Sequence, residues 1–221
     1  MTLPFVSAIM PACYGKIAAV AIRCFLDQTY DQKELVILDN NPDGETIDNL
    51  CKDSRIKYHR VLRENIGVMR NNGNDLAIGD VICNWDCDDF YSKERIAVQV
   101  ERLSVSGKAV TGFHSLLFYN TANARAYRYK YAGHGPYGSG TTLAYRKDWW
   151  KSHPFDESLK RGEDYHFVAA AAAAVQMDSI EGIGLVVARS HRDSTCPPQF
   201  SCSSQYPEIS RTELPKAFFR V

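Results

Sequence analysis

Three aspartates, Asp86, Asp88 and Asp89, stand close together in the first half of the chain. They follow a short apolar run at 81–83, which predicts a buried strand, and they precede a segment from Ser92 with apolar residues at helical spacing. If the chain stays extended, the side chains of Asp86 and Asp88 project to the same side. Two ionised carboxylates so close repel each other unless one is protonated or a cation lies between them. The pattern favours a hard cation, Mg²⁺ or Mn²⁺, which commonly joins one or two carboxylates to substrate phosphates.

A simpler interpretation of the same aspartates is structural. Asp88 or Asp89 could cap the helix that follows, because aspartate is favoured at helix N-termini. The remaining charges would then be solvated loop residues. Features elsewhere in the chain have to decide between the two interpretations.

Composition excludes several classes of protein. The chain has 221 residues, is 45% hydrophobic and 24% charged, and carries a formal net charge of zero. A dedicated nucleic-acid-binding protein usually has a basic excess, so we expect no nucleic-acid partner. No apolar run approaches the length of a membrane span, and residues 1–9 lack the pattern of a signal peptide. We therefore expect a cytoplasmic protein with no transmembrane segment, for which peripheral contact with a membrane stays open.

The seven cysteines are scattered and odd in number. Several lie inside apolar segments, which favours buried free thiols. A zinc site formed by His191, Cys196 and Cys202 is an alternative, but their spacing matches no common zinc-binding pattern.

Strand and helix patterns alternate over the first ninety or so residues, which implies a parallel sheet with right-handed crossovers. Predicted strands lie at 3–10, 35–38, 56–61 and 81–83, and predicted helices at 16–27, 46–52 and 65–79. Ligands of such sheets bind at the carboxyl ends of the strands, where the aspartates stand.

The second half has a mixed pattern. Predicted strands lie at 109–113, 115–119, 125–131 and 184–191, and a predicted helix at 163–176 contains the alanine run 169–174. A glycine-rich loop separates the third of these strands from the helix, and the residues from 192 onward are predicted to be irregular.

Short motifs occur in a characteristic order along the chain. They are Pro11-Ala12-Cys13-Tyr14, Phe25–Tyr30, Glu34–Asn40, Asn65-Ile66-Gly67, Arg70–Asn74, Ala77–Asp80, Asp86–Asp89 and Arg161–Asp164. Each is weak alone, but the ordered set resembles the inverting glycosyltransferases of family 2, over roughly residues 6–191. The resemblance implies an α/β GT-A fold, a Rossmann-like fold of nucleotide-diphospho-sugar transferases, with a mostly parallel central sheet and a mixed second half.

The resemblance also implies the domain organisation. A single GT-A domain would span 1–221, with a nucleotide-binding half at 1–91, an acceptor-side half at 92–191 and an irregular tail at 192–221.

Donor-binding roles follow from the resemblance residue by residue. Asp39 would accept a hydrogen bond from the uracil imide, although an aspartate before Asn40-Asn41-Pro42 could also cap a turn. Asp86 would contact the ribose or the metal, and Asp88 would be the main metal ligand. His191 would be a further metal ligand or a surface histidine, and Asp89 would support the site or cap a helix. The other implied substrate-binding residues are Pro11, Ala12, Tyr14, Asn65, Gly67, Arg70, Gly140 and Thr141.

The motif at Arg161-Gly162-Glu163-Asp164 resembles the start of the family's acceptor-side helix. The resemblance makes Asp164 the catalytic base and gives Glu163 a supporting role. Acidic residues at a helix N-terminus are also favoured by the helix dipole, which is the structural alternative. A base is needed because the acceptor hydroxyl loses its proton as it attacks the anomeric carbon. A single displacement of this kind inverts the configuration, and Mn²⁺ or Mg²⁺ would offset the charge of the departing diphosphate.

The expected activity is the transfer of one sugar from a nucleoside-diphosphate sugar, with UDP favoured, to a saccharide, a lipid-linked acceptor or another hydroxyl acceptor. The turn Asn40-Asn41-Pro42 replaces the family's usual acidic-Gly-Ser turn, which weakens the expectation of UDP. No Q-x-x-R-W motif follows His191, so we expect single addition rather than processive synthesis. The alternatives are a sugar nucleotidyltransferase and a non-catalytic carbohydrate-binding or interaction module. The segment Pro11–Lys16 is too poor in glycine and lysine for a triphosphate-binding loop, and a binding module needs no base.

Overall fold

The computed structural model of the chain describes residues 3–12, 17–41, 47, 51–62, 64–192, 194 and 206–220. Tyr14, Cys196, Cys202 and most of the helix predicted at 46–52 lie outside these residues. Within them, Cys24 and Cys83 are buried free thiols, as predicted, while Cys87 is buried and Cys51 is partly exposed. None of the helices described is both long and apolar enough to cross a membrane.

The first half is the predicted parallel sheet. Its elements are β1 (Val6–Ala12), α1 (Ala18–Leu26), β2 (Lys33–Asp39), β3 (Ile56–Arg60), α2 (Ile66–Leu76) and β4 (Val81–Asn84). The strands pair in the spatial order β3-β2-β1-β4, all parallel. Every residue of β1, β2 and β4 is buried, as expected for parallel strands covered on both faces. The first strand runs two residues further than predicted, so Pro11 and Ala12 pair with the end of β2.

The second half adds antiparallel and parallel strands around one long strand. Its elements are β5 (Phe90–Tyr91), α3 (Arg95–Ser106), β6 (Val110–Asn120), β7 (Arg125–Lys130), β8 (Ala144–Arg146), α4 (Lys147–Ser152), α5 (Glu163–Ala173), β9 (Met177–Glu181), β10 (Val186–Ser190) and β11 (Glu208–Ile209). The short strand β8 runs antiparallel to both β4 and β6 and thereby joins the two halves into one sheet.

Strand β6 corrects the prediction of two strands at 109–113 and 115–119. It is continuous, with an irregularity between Phe113 and Ser115. Before this point β6 pairs with β8 and β9, and after it β6 pairs with β7 and β10. A β-bulge of this kind bends a strand, which lets one strand serve two sets of neighbours.

The part of the tail at residues 206–220 is less irregular than predicted. Strand β11 pairs antiparallel with β7, and the side chains of Leu214 and Phe218 are buried in the same core. The ring of Phe218 packs edge-on against Phe90, with ring centroids 5.8 Å apart. The described part of the tail, residues 206–220, therefore belongs to the fold of the domain.

Gly73, an unfavourable residue inside a helix, is explained by packing. Helix α2 lies directly on β1 and β2, and a Cβ atom at Gly73 would overlap the side chain of Ile9 and crowd that of Leu38. The glycine therefore lets the helix approach the sheet closely, at a cost in helix propensity of about 1 kcal/mol.

We expect Gly73→Ala to destabilise the protein by about 1–3 kcal/mol, because overpacking outweighs the gain in helix propensity. The matched control is Asn72→Ala, at an exposed position of the same helix, which should leave stability unchanged or raise it slightly. Urea unfolding of the three proteins measures both effects. A more stable Gly73→Ala variant would contradict the close approach of α2 to the sheet.

Candidate active site

A cleft of about 670 Å³ opens at the carboxyl ends of β1 and β4, a size typical of small-molecule sites. It is also lined by the first turns of α2 and α5 and by the turn at 140–142. The predicted site residues on its wall are Pro11, Ala12, Asn65, Arg70, Asp86, Asp88, Gly140, Thr141, Glu163 and Asp164. The fold thus brings together residues that are far apart in the sequence.

The acidic segment after β4 turns instead of staying extended, which corrects the prediction of alternating side chains. The turn lies at Cys87 and Asp88. The hydroxyl of Tyr91 accepts a hydrogen bond from the backbone N–H of Asp86 at 2.7 Å and so ties the start of this turn to β5. Helix α3 begins only at Arg95, with Glu94 at its N-cap, so neither Asp88 nor Asp89 caps it. Asp86 and Asp88 nevertheless both reach the cleft.

Asp88 and His191 form a pair that could hold a divalent cation. Nε2 of His191 lies 2.9 Å from Oδ2 of Asp88, and the two side chains are 12% and 16% exposed. No group of three or more histidine, cysteine or acidic side chains converges on one point within the residues that the structure describes. Mg²⁺ and related ions are commonly held by one or two protein ligands and completed by substrate phosphates and water. The pair therefore fits such a cation better than a closed structural site.

Asp89 is buried and holds neighbouring segments of the site together by hydrogen bonds. Its carboxylate accepts hydrogen bonds from Oγ1 of Thr141 at 2.7 Å and from the backbone N–H of Arg189 at 2.9 Å. Burial raises the pKa of Asp89 well above its ordinary value, and the neighbouring charges of Asp88 and Asp86 raise it further. Asp89 thus links the acidic turn to the 140–142 turn and to β10.

Arg70 joins carboxylates from the two halves of the chain. Its Nη1 lies 2.5 Å from Oε1 of Glu163, and its Nη2 lies 3.3 Å from Oδ1 of Asp86. Burial would lower the pKa of Arg70, but the charges of Asp86, Glu163 and Asp164 outweigh burial and keep the arginine protonated. Burial raises the pKa of Glu163, and Arg70 opposes that rise. The predicted substrate-binding arginine is therefore occupied by protein carboxylates.

Helix α2 also anchors the segment that leads into α5. Asn65 caps α2 through its Oδ1, while its Nδ2 donates to the carbonyl of Glu157 at 2.7 Å. A Cβ atom at Gly67 would lie 2.8 Å from the carbonyl oxygen of Asp156. Gly67 was predicted to bind substrate, but it does not line the cleft. It leaves room for the segment that leads into α5.

Asp164 lies at the start of α5 with its carboxylate against the backbone of Gly140. A Cβ atom at position 140 would overlap this carboxylate, so glycine is required for the approach. Oδ1 of Asp164 accepts a hydrogen bond from the N–H of Tyr165 at 2.8 Å. Asp164 is partly exposed on the cleft wall, whereas Glu163 is only 4% exposed.

Asp39, predicted to bind the nucleotide base, is not among the residues that line the cleft. It is 3% exposed, and its carboxylate accepts hydrogen bonds from the hydroxyl of Tyr58 at 2.6 Å and the N–H of Asn41 at 2.8 Å. This is the alternative turn-capping role. The two bonds fall on different oxygens of the carboxylate, one on Oδ1 and one on Oδ2.

Asn40, which sequence reasoning did not single out as a site residue, lines the cleft instead. Its Nδ2 donates to the sulfur of Met69 at 3.1 Å, and its buried Oδ1 has no hydrogen-bond partner among the described residues. Buried acceptors are nearly always paired in folded proteins, so this oxygen is a group that a ligand can satisfy. The available signal was its place directly after the last residue of β2.

Comparisons with known proteins agree with the fold. A model of the family described as glycosyl transferase family 2 matches residues 7–184. An uncharacterised glycosyltransferase of Rickettsia conorii is 33% identical over 136 residues, an alignment covering 51% of this chain and 22% of the relative. The chain therefore spans less than a quarter of that relative's length.

Two solved structures share the fold. S. aureus TarS 1-349 in complex with UDP-GlcNAc has a TM-score of 0.67 at 16% identity, over 86% of this chain and 60% of that one. The mannosyltransferase PcManGT from Pyrobaculum calidifontis, in complex with GDP-Man and Mn²⁺, has a TM-score of 0.68 at 11% identity, over 88% of this chain and 59% of that one. At these identities the likeness shows the fold alone. Since the family model matches 7–184, which is most of the chain, the protein belongs to glycosyl transferase family 2 and has the GT-A fold.

Proposed function

We propose that the chain transfers one sugar from a nucleoside-diphosphate sugar to an acceptor hydroxyl, with inversion at the anomeric carbon. The observation that carries the proposal is that Asp164 and the Asp88–His191 pair belong to one site at the strand ends, with Asp164 and Asp88 both on the cleft wall. A transferase of this kind needs a carboxylate base on the acceptor side and charge compensation on the donor side.

Asp164 is the carboxylate best placed to act as the base. Glu163 also borders the cleft, but it is only 4% exposed and its Oε1 is bound by the guanidinium of Arg70, so it is less available to an acceptor hydroxyl. Asp164 is partly exposed, and the N–H of Tyr165 orients its carboxylate. The base takes the proton of the acceptor hydroxyl while the oxygen attacks the sugar from the face opposite the diphosphate, which gives inversion in one step. Glu163 supports this role by fixing the start of α5.

Asp88 and His191 are proposed to hold Mn²⁺ or Mg²⁺, with Asp86 contacting the ribose or the cation. The cation would offset the negative charge that grows on the departing diphosphate. Arg70 keeps Asp86 at the cleft wall through the contact at 3.3 Å. The acceptor, a saccharide, a lipid-linked compound or another hydroxyl compound, lies on the Asp164 side.

We further propose that Asn40 contacts the nucleotide base, with Asp39 holding the turn that presents it. The unpaired Oδ1 of Asn40 can accept an N–H of the base, such as the imide of uracil. A neutral amide also offers an N–H donor, so it tolerates more kinds of base than a carboxylate does. UDP remains the first nucleotide to test.

We expect Asp164→Asn to lower turnover by at least about 10²-fold while nucleotide affinity is retained, because the amide keeps the shape but cannot take a proton. Turnover at saturating donor and acceptor, together with UDP affinity of the same preparation, measures this. The comparison variant is Glu163→Gln, which should lose stability as well because Arg70 loses a buried partner. A fully active Asp164→Asn alongside an inactive, stable Glu163→Gln would assign the base to Glu163.

We expect Asp88→Asn to abolish the part of nucleotide affinity that depends on Mn²⁺ while the fold persists, because an amide is a poor ligand for a hard cation. Calorimetry with UDP in the presence and absence of Mn²⁺ gives the metal-dependent part directly. Asp53→Asn is the matched control, since Asp53 pairs with Arg55 outside the cleft. Equal Mn²⁺ dependence in wild type and Asp88→Asn would remove Asp88 from the metal site.

We expect Asn40→Ala to weaken UDP binding by roughly 3–10-fold, the value of one hydrogen bond, and to leave inorganic pyrophosphate binding unchanged. Pyrophosphate carries no base and therefore reports on the metal site alone. Asp39→Ala is the comparison, and its effect should appear mainly as lower stability, through the lost contacts with Tyr58 and Asn41. If Asp39→Ala weakens UDP binding selectively and Asn40→Ala does not, the base contact belongs to Asp39.

A further inference from the structure

Three successive backbone carbonyls in the turn at 140–142 each accept a hydrogen bond from a buried side chain. Asn84 Nδ2 donates to the carbonyl of Gly140 at 2.8 Å, and Arg95 Nη2 donates to that of Thr141 at 2.9 Å. Gln99 Nε2 donates to the carbonyl of Thr142 at 2.7 Å. The three donors, here named the carbonyl clamp, come from the end of β4 and the first two turns of α3.

Arg95 is the centre of the carbonyl clamp. Its Nη2 also donates to the carbonyl of Asn84 at 2.7 Å, and its Nε donates to Oε1 of Gln99 at 3.1 Å. The guanidinium carbon lies 4.3 Å from the ring centroid of Tyr91 and 4.8 Å from that of Trp85. One arginine thereby orders the other two donors and the strand end that carries the acidic turn.

The burial of Arg95 is costly. Its side chain is 0% exposed, it forms no ion pair with a carboxylate in the described part of the chain, and its Nη1 is buried without a partner. A buried cation without a counter-ion is destabilising relative to an apolar side chain of similar size. The carbonyl hydrogen bonds and the faces of Tyr91 and Trp85 offset this cost.

The 140–142 turn lies between Asp164 and the acidic segment at 86–89. Gly140 receives the carboxylate of Asp164 against its backbone. Oγ1 of Thr141 donates to Asp89 at 2.7 Å and lies 2.9 Å from the hydroxyl of Tyr91, which accepts the N–H of Asp86. Any shift of the turn would move the proposed base relative to the acidic turn.

We infer that Arg95 is a positioning residue, which through the carbonyl clamp sets the place of the 140–142 turn between Asp164 and the acidic segment. The inference rests on the proposed function, because the distance between Asp164 and the acidic segment matters only if both act on the same donor and acceptor. Misplacement of reacting groups by about 1 Å can cost on the order of 10²-fold in rate. Substitution of Arg95 should therefore lower turnover and leave donor affinity unchanged.

The test variant is Arg95→Lys, which keeps the charge, but its single nitrogen cannot replace Nη2 at the carbonyls of Asn84 and Thr141 and Nε at Gln99 at once. We expect turnover to fall by roughly 10–100-fold, UDP affinity with Mn²⁺ to stay unchanged, and amide hydrogen exchange of residues 139–143 to become faster. Gln99→Leu removes one donor without touching a charge and should give smaller changes in the same direction. If Arg95→Lys fails to fold, Gln99→Leu tests the inference in its place.

Lys33→Met is the matched control for the loss of buried hydrogen bonds to backbone carbonyls. Lys33 is 3% exposed and donates to the carbonyls of Gln28 at 2.8 Å and Tyr30 at 2.6 Å, at the end of β2 away from the cleft. This variant should lose stability with no change in turnover or in exchange at 139–143. All rates are compared at a temperature where each variant is fully folded.

Two results would overturn the inference. One is wild-type turnover in Arg95→Lys and Gln99→Leu. The other is a loss of turnover with unchanged exchange at 139–143, which would mean that Arg95 does not act through the turn. If the wild type turns over no sugar nucleotide, the proposed function fails, and the exchange measurement alone decides whether the clamp holds the turn.

Discussion

Repulsion between carboxylates is the constraint on which the site depends. Asp86, Asp88, Asp89, Glu163 and Asp164 all line one cleft, and close carboxylates destabilise each other unless each is compensated. Arg70 compensates Asp86 and Glu163, His191 pairs with Asp88, and Thr141 and a backbone N–H bind Asp89. Asp164 accepts a backbone hydrogen bond and forms no ion pair with Arg70 or another cation within the described residues, although the charge of Arg70 acts on it. Of the five carboxylates, Asp164 is therefore the one that we propose as the base.

The site also requires close contacts with the backbone at two glycines. Gly140 leaves room for the carboxylate of Asp164, and Gly67 leaves room for the carbonyl of Asp156, which lies in the segment that leads into α5. Close approach positions these groups only if the backbone concerned cannot move, and hydrogen bonds to the carbonyls of 140–142 provide that rigidity. Stabilisation of charge in a transition state depends on groups that are already in place, which is the physical reason for such a construction.

Regularities over long stretches of the sequence predicted the parallel half of the sheet and part of the site. Strand–helix alternation predicted the parallel half, and the rule that ligands bind at strand ends placed Asp86 and Asp88 at the cleft. Details set by tertiary contacts were missed. Strand β9, Met177–Glu181, is short and half polar, so its pairing with β6 leaves little signal. The choice between Asp39 and Asn40 depends on Tyr58, which reaches Asp39 from the neighbouring strand, and no local pattern shows that contact.

The central claim is that Asp164 and the diphosphate lie on opposite faces of the transferred sugar. The most direct test is the anomeric configuration of the sugar first released or transferred by the wild-type protein, followed by proton NMR with Mn²⁺ and a panel of UDP- and GDP-linked α-sugars. We predict a β-configured product, formed before mutarotation, from at least one donor. An α-configured first product would contradict the single displacement and the role given to Asp164, and no release or transfer from any donor would contradict the transferase activity itself.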